Sequence, residues 1–141
     1  MPYATVQDAE DLYGADYVGS SFDRDRDGSV DPLAATSAFS KASSEIDSYL
    51  ATRFDVPVSP APDVVKERCI DIAIYRVCPD SALTDEKRRR YEDAIAWLKD
   101  VAKGLATLDL GDDVPATATQ DVPETSYPNA RLFTRRRMAG L

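Results

Sequence analysis

A small all-α bundle of about four helices, followed by an extended C-terminal arm, is the fold this sequence predicts. Three observations predict it. Apolar residues recur at helical spacing over three long stretches, and prolines and glycines fall at or between the ends of those stretches. From Gly111 the chain turns to Pro, Asp, Thr and Ala with few apolar anchors. With 141 residues there is room for one domain and one core, so the division is a helical domain over 1–110 and an arm over 111–141.

Thr5 with Asp8 makes a capping box, with Asp in place of the usual Glu, and opens a first helix running through Ala9, Leu12 and Tyr13 to about Gly14. A short turn over Ala15 to Val18 follows, then the loop Asp23-Arg24-Asp25-Arg26-Asp27-Gly28-Ser29-Val30-Asp31. Asp31-Pro32 reads as an N-cap with proline at the first helical position, where its missing N–H costs nothing. Leu33, Phe39, Ala42, Ile46, Tyr49, Leu50 and Phe54 then form one apolar stripe. Pro57, Pro60 and Pro62 end that helix and hold a short extended linker.

The next helix, about 63–78, carries Val64, Val65, Cys69, Ile70, Ile72, Ala73, Ile74 and Val77 on nearly every side, which predicts a central, buried element stopped by Pro79. Thr84, Asp85, Glu86 and Lys87 open the last helix with acids first, as the helix dipole prefers. Tyr91, Ala94, Ile95, Leu98, Val101 and Ala102 make its buried stripe, Trp97 lies beside it, and Gly104 fits a C′ stop. Residues 105–110 could make a short strand.

Composition excludes several classes of function. There is no histidine, so the commonest general base and transition-metal ligand are absent. Cys69 and Cys78 are nine residues apart, which places them on opposite faces of the helix predicted for 63–78, and neither belongs to a CxxC or Cys/His cluster. No Gly-rich phosphate loop or GxSxG elbow occurs, and no carboxylate pair has apolar flanks that would raise a pKa. The expectation is therefore a protein that is not an enzyme and has no cofactor beyond a weakly bound Ca2+. No apolar run approaches the roughly 20 residues of a membrane span. The N-terminus has neither a basic n-region nor an apolar h-region, which leads to the expectation of a soluble protein assembled in a cytoplasm without membrane contact.

Charge is unevenly placed. Residues 131–141 hold four arginines and no acid, whereas the rest of the chain holds 13 basic and 25 acidic residues. An acidic body does not wrap DNA, but it suits charge-complementary docking to another protein. The docking residues expected in the arm are Leu132, Phe133, Arg135, Arg136, Arg137, Met138 and Leu141, apolar anchors mixed with cations. The run Glu86-Lys87-Arg88-Arg89-Arg90 fans its charges around a helix beside Asp85, Glu92 and Asp93, and reads as a solvated or intersubunit face. Tyr75 and Tyr91 read as core or interface aromatics.

The aspartate loop matches the front of an EF-hand. Asp23, Asp25, Asp27, Gly28 and Val30 occupy positions 1, 3, 5, 6 and 8, with Asp31 at 9. Position 12, which supplies a bidentate Glu in such loops, is Ala34, and Arg24 and Arg26 offset part of the charge. A tight turn with positive φ at Gly28 and a helix cap at Asp31 is the favoured reading. A weak, partly hydrated cation site on Asp23, Asp25, Asp27 and Asp31 is the other. It would make the protein a calcium-responsive helical binding module with an incomplete EF-hand-like loop. A third reading, an acidic DNA mimic, needs acids aligned on one face, and the Arg and Lys spread among them from Arg24 onward oppose it.

Several blocks together resemble the Mu gp36-like phage protein family: Tyr3-Ala4-Thr5, Asp11-Leu12-Tyr13-Gly14, the acidic-glycine loop, the run from Ala42 to Phe54, and Asp71-Ile72-Ala73-Ile74-Tyr75-Arg76. The run from Arg89 to Lys99, Ala102-Lys103-Gly104 and Leu132-Phe133-Thr134-Arg135 belong to the same likeness. The resemblance implies a head-tail adaptor, or connector, of a tailed phage, built as a homo-oligomeric ring, usually twelvefold, below the portal. It implies as partners the portal protein and the next neck or tail-completion protein. Genomic DNA would pass through the channel without sequence-specific binding, and the protein would reside in the virion neck. The family has no catalytic residues to transfer.

Overall fold

The computed structural model describes residues 1–110, and the statements that follow concern these residues. The boundary expected at 110/111 and the docking residues expected in the arm, Leu132, Phe133, Arg135, Arg136, Arg137, Met138 and Leu141, lie outside them. Five α-helices are present: α1 (Val6–Tyr13), α2 (Ala15–Phe22), α3 (Pro32–Leu50), α4 (Asp63–Val77) and α5 (Asp85–Lys103), with a 3₁₀ turn at Asp80–Ala82. The all-α class is thus as the sequence predicts, with one helix more than expected.

The extra helix arises at Gly14, whose φ of 89° breaks the run after Tyr13 and redirects the chain. Beyond it, Val18 and Phe22 lie four residues apart on one face and are both fully buried, so the expected short turn grows into the two turns of α2. Phe22 stacks on Phe39 of α3 with ring centroids 5.5 Å apart.

α3 begins as expected. Asp31 Oδ1 accepts hydrogen bonds from the backbone N–H of Leu33 at 3.0 Å and of Ala34 at 3.3 Å. Phe39, Ala42, Ile46 and Leu50 are buried, but Leu33, in the first turn, is 83% exposed, and the helix ends at Leu50. Arg53 and Phe54 continue as a turn, their N–H groups bonding to the Leu50 carbonyl at 2.9 and 2.8 Å.

α4 is the central element and packs against α1, α2, α3 and α5. Its buried residues are Val65, Cys69, Ile70, Asp71, Ile72, Ala73 and Ile74, which bears out a helix apolar nearly all round. Cys69 and Cys78 are free thiols. The proline-rich linker before α4 is tied to the N-terminus, since Val58 is buried and its N–H donates to the Tyr3 hydroxyl at 2.9 Å.

α5 ends in a Schellman closure. The Gly104 N–H bonds to the Val101 carbonyl at 3.0 Å and the Leu105 N–H to that of Asp100 at 2.8 Å, with Gly104 left-handed at φ 79°. Arg53 Nη1, which donates to the Val101 carbonyl at 3.3 Å, lies 2.7 Å from where a Cβ on Gly104 would stand. No strand forms over 105–110, because no strand is present among the described residues to pair with it. Leu108 instead inserts into the core while Leu105 stays 76% exposed. No helix among the described residues is long and apolar enough to cross a membrane.

Candidate functional site

Two polar constellations stand out, one outside the core and one within it. The outer one is the aspartate loop between α2 and α3, closed at its base by the hydrogen bond from the Asp31 N–H to the Phe22 carbonyl at 3.2 Å. Asp23 folds the loop around itself. Its Oδ1 accepts from the Asp27 N–H at 3.0 Å and its Oδ2 from the Gly28 N–H at 2.9 Å. Asp27 accepts from the N–H and hydroxyl of Ser29 at 2.8 and 2.6 Å, and these two bonds hold its carboxyl below the usual carboxylate range.

Gly28 has φ 89°, the positive value its turn requires, and Arg26 shares the left-handed region at 61°. Arg26 NH2 reaches Ser81 Oγ at 2.9 Å and so pins the loop to the 3₁₀ turn. Carboxylate oxygens of Asp23, Asp25 and Asp27 lie within 4.8 Å of one another. Asp31, expected as a fourth donor, is not in that group; its Oδ1 caps the first turn of α3. Three acids with Ala34 at the twelfth position fit the front of a calcium loop and lack the bidentate carboxylate that completes one.

The inner constellation was not anticipated. Asp71 sits in α4 between Ile70 and Ile72, is 4% exposed, and accepts a hydrogen bond on Oδ1 from the Tyr13 hydroxyl of α1 at 2.6 Å. Arg68 Nη1 lies 3.7 Å from its other oxygen, and Arg68 Nε has no hydrogen-bond partner among the described residues. Burial pushes the Asp71 carboxyl above its ordinary range, with the Tyr13 hydrogen bond and the charges of Arg68 and Arg90 opposing. The Tyr13 phenol is itself pushed up, by burial first and then by Asp71.

Cations from α5 cover this cluster. Arg90 stands 4.3 Å from the centroid of the Tyr13 ring and 5.6 Å from that of Tyr17, and is paired with Glu86 one turn back. Lys87 is only 6% exposed. Its Nζ donates to the Ala82 carbonyl at 3.2 Å and contacts Cys78 Sγ at 3.3 Å, 5.2 Å from the Tyr17 ring.

The basic run, expected as a solvated or intersubunit face, is divided. Lys87 and Arg90 turn inward onto the tyrosines of α1 and α2, while Arg88 and Arg89 remain exposed. The expectation about apolar flanks concerned carboxylate pairs, and Asp71 is a single carboxylate between Ile70 and Ile72. An aspartate inside a helix apolar on all sides must be buried, and that is the signal in the sequence that finds it.

Further contacts join the other helices and the N-terminus. The Tyr3 hydroxyl donates to Asp47 of α3, and burial with this bond lifts the phenol to about 12. Tyr75 and Tyr91 stack with centroids 4.1 Å apart, as expected of core or interface aromatics. Arg76 binds Glu45 at 2.7 Å beside them.

These clusters define a class: a small helical module whose interior charges tie α1 and α2 to α4 and α5, with an acidic loop at one edge. The chain matches the family described as Bacteriophage Mu, Gp36 over residues 3–126, and it belongs to that family of bacteriophage proteins. It is 40% identical over 85 residues to the Mu-like prophage FluMu protein gp36 of Haemophilus influenzae, a match covering 60% of each chain. It is 33% identical over 109 residues to gene product J of Escherichia phage Mu, covering 74% of each. The match therefore spans less than two thirds of the length of the first of these relatives.

Proposed function

We propose that this chain is a head-tail adaptor: a phage structural protein that forms a ring below the portal, extends the DNA channel and joins head to tail components. The observation that carries the reading is the family match over residues 3–126. The charge layout supports it, since an acidic body with a basic, apolar C-terminal segment suits docking between proteins more than gripping of DNA. In this reading the interior charges hold the bundle rigid and catalyse nothing. The partners are further copies of the chain, twelve by resemblance, the portal protein and the next neck component, and the protein resides in the virion neck.

The test is to mix the purified full chain with portal rings of the parent phage and image the complex by electron microscopy. A ring of density below the portal is expected, and it should be lost on deletion of 129–141. A chain that neither oligomerises nor binds the portal, with neck assembly intact after that deletion, overturns the reading. A second reading, a calcium-responsive helical module, draws on the proximity of Asp23, Asp25 and Asp27. Absence of binding heat with millimolar calcium would remove it.

A further inference from the structure

No lysine or arginine precedes Arg24, and α1 carries three acids, Asp8, Glu10 and Asp11. α1 packs on α4, and between them lies a groove of about 330 Å³ lined by Asp8, Asp11, Leu12, Asp63, Glu67 and Ile70. Lys66, the cation on its wall, is held by Asp63 at 3.5 Å. Four acids against one lysine leave the groove strongly negative. Asp8 stays ionised below the usual carboxylate range, because the Thr5 hydroxyl and N–H both donate to it. Leu12, 46% exposed, adds an apolar surface that nothing among the described residues fully covers.

Residues 131–141 have the complementary chemistry: four arginines, no acid, and Leu132, Phe133, Met138 and Leu141. Residues 111–130 could span about 70 Å at full extension, against a radius of gyration of about 13 Å for a domain of this size. We infer that the groove between α1 and α4 receives residues 131–141 of a second copy of this chain, with arginines facing its carboxylates and an apolar side chain covering Leu12. The inference rests on the adaptor reading, which supplies neighbouring copies, and it names the contact that links them.

Charge reversal with rescue tests it. The full chain, an Asp11→Lys/Glu67→Lys variant, an Arg135→Glu/Arg136→Glu variant and the four-fold combination are compared by sedimentation velocity, alone and with portal rings. Asp11 and Glu67 are exposed, and unchanged circular dichroism melting confirms the fold of each variant. Each reversal should weaken self-association at least about tenfold, and the combination should return to within about threefold of the unmodified chain. Groove reversal that leaves association unchanged, or a combination that sums both losses, overturns the inference. If rings on the portal also persist in that case, the adaptor reading stands without it. An unmodified chain that stays monomeric both alone and with portal overturns both.

Discussion

Asp71 and the loop aspartates are the same residue type with arginines close by, placed on opposite sides of the protein surface. Asp71 is buried in α4, accepts from the Tyr13 hydroxyl and has Arg68 beside it, and its carboxyl is pushed up by burial. Asp27 stands in solvent, and hydrogen bonds from Ser29 pull its carboxyl down. Water screens the loop, so its bonds order a turn and contribute little net energy. Around Asp71 the medium is poor in water, so each partner matters and each loss leaves something unpaired. The motif conspicuous in the sequence is therefore the weaker of the two energetically, and the single aspartate in an apolar helix is the stronger.

Removing Asp71 is the severest way to break that contrast. Asp71→Ala leaves the Tyr13 hydroxyl without its acceptor and Arg68 without its carboxylate, opens a small void, and should cost about 2 to 3 kcal/mol in urea unfolding at neutral pH. A loss under about 0.5 kcal/mol would place Asp71 on a par with the loop. Tyr13→Phe is milder, about 1.5 kcal/mol, because it deletes one donor and keeps the ring beneath Arg90.

The pH dependence sharpens the same point. The native carboxyl of Asp71 titrates above its unfolded value of about 3.9, so between the two values the native state holds a proton the unfolded chain has released. The stability this contributes is complete below about 3.9 and is lost as pH rises through the raised native value. Asp71→Asn should remove that downward slope. Tyr13→Phe should move the Asp71 titration still higher, as read by carboxyl carbon NMR, because the bond favouring the anion is gone. A downward move would reverse the sign argued here.

Most of the architecture was legible because it rests on local chemistry. The Thr5–Asp8 box, the Asp31-Pro32 start, the apolar surround of α4 and the left-handed Gly104 follow from caps, periodicity and turn rules acting within a few residues. What was not legible depends on partners distant in sequence. The acids beside Lys87 and Arg90 along the chain point to a solvated or intersubunit face, whereas Tyr13 and Tyr17, about 70 residues earlier, lie against them in the fold. The strand over 105–110 failed likewise, since a strand needs an edge that periodicity does not supply. At Asp31 the two roles read from the sequence compete: its Oδ1 caps α3, and the carboxylates that gather within 4.8 Å are those of Asp23, Asp25 and Asp27.

That competition separates the loop into a part the fold uses and a part it does not. Asp31→Ala removes the acceptor for the Leu33 and Ala34 N–H groups and should cost about 1 kcal/mol. Asp25→Ala deletes only a long contact, 3.4 Å from the Asp27 N–H, at an exposed position, and should change stability by less than about 0.5 kcal/mol. The smaller effect is the more discriminating once calcium is added. A cation held by Asp23, Asp25 and Asp27 would stabilise the native chain in proportion to the logarithm of its concentration. Millimolar calcium would then raise the unfolding midpoint of the unmodified chain and leave that of Asp25→Ala unmoved. The expected result is the same midpoint for both with and without calcium, because three carboxylates lacking the twelfth ligand leave too much of the ion to water. A midpoint that rises in the unmodified chain alone would turn the loop from a folded corner into a binding site.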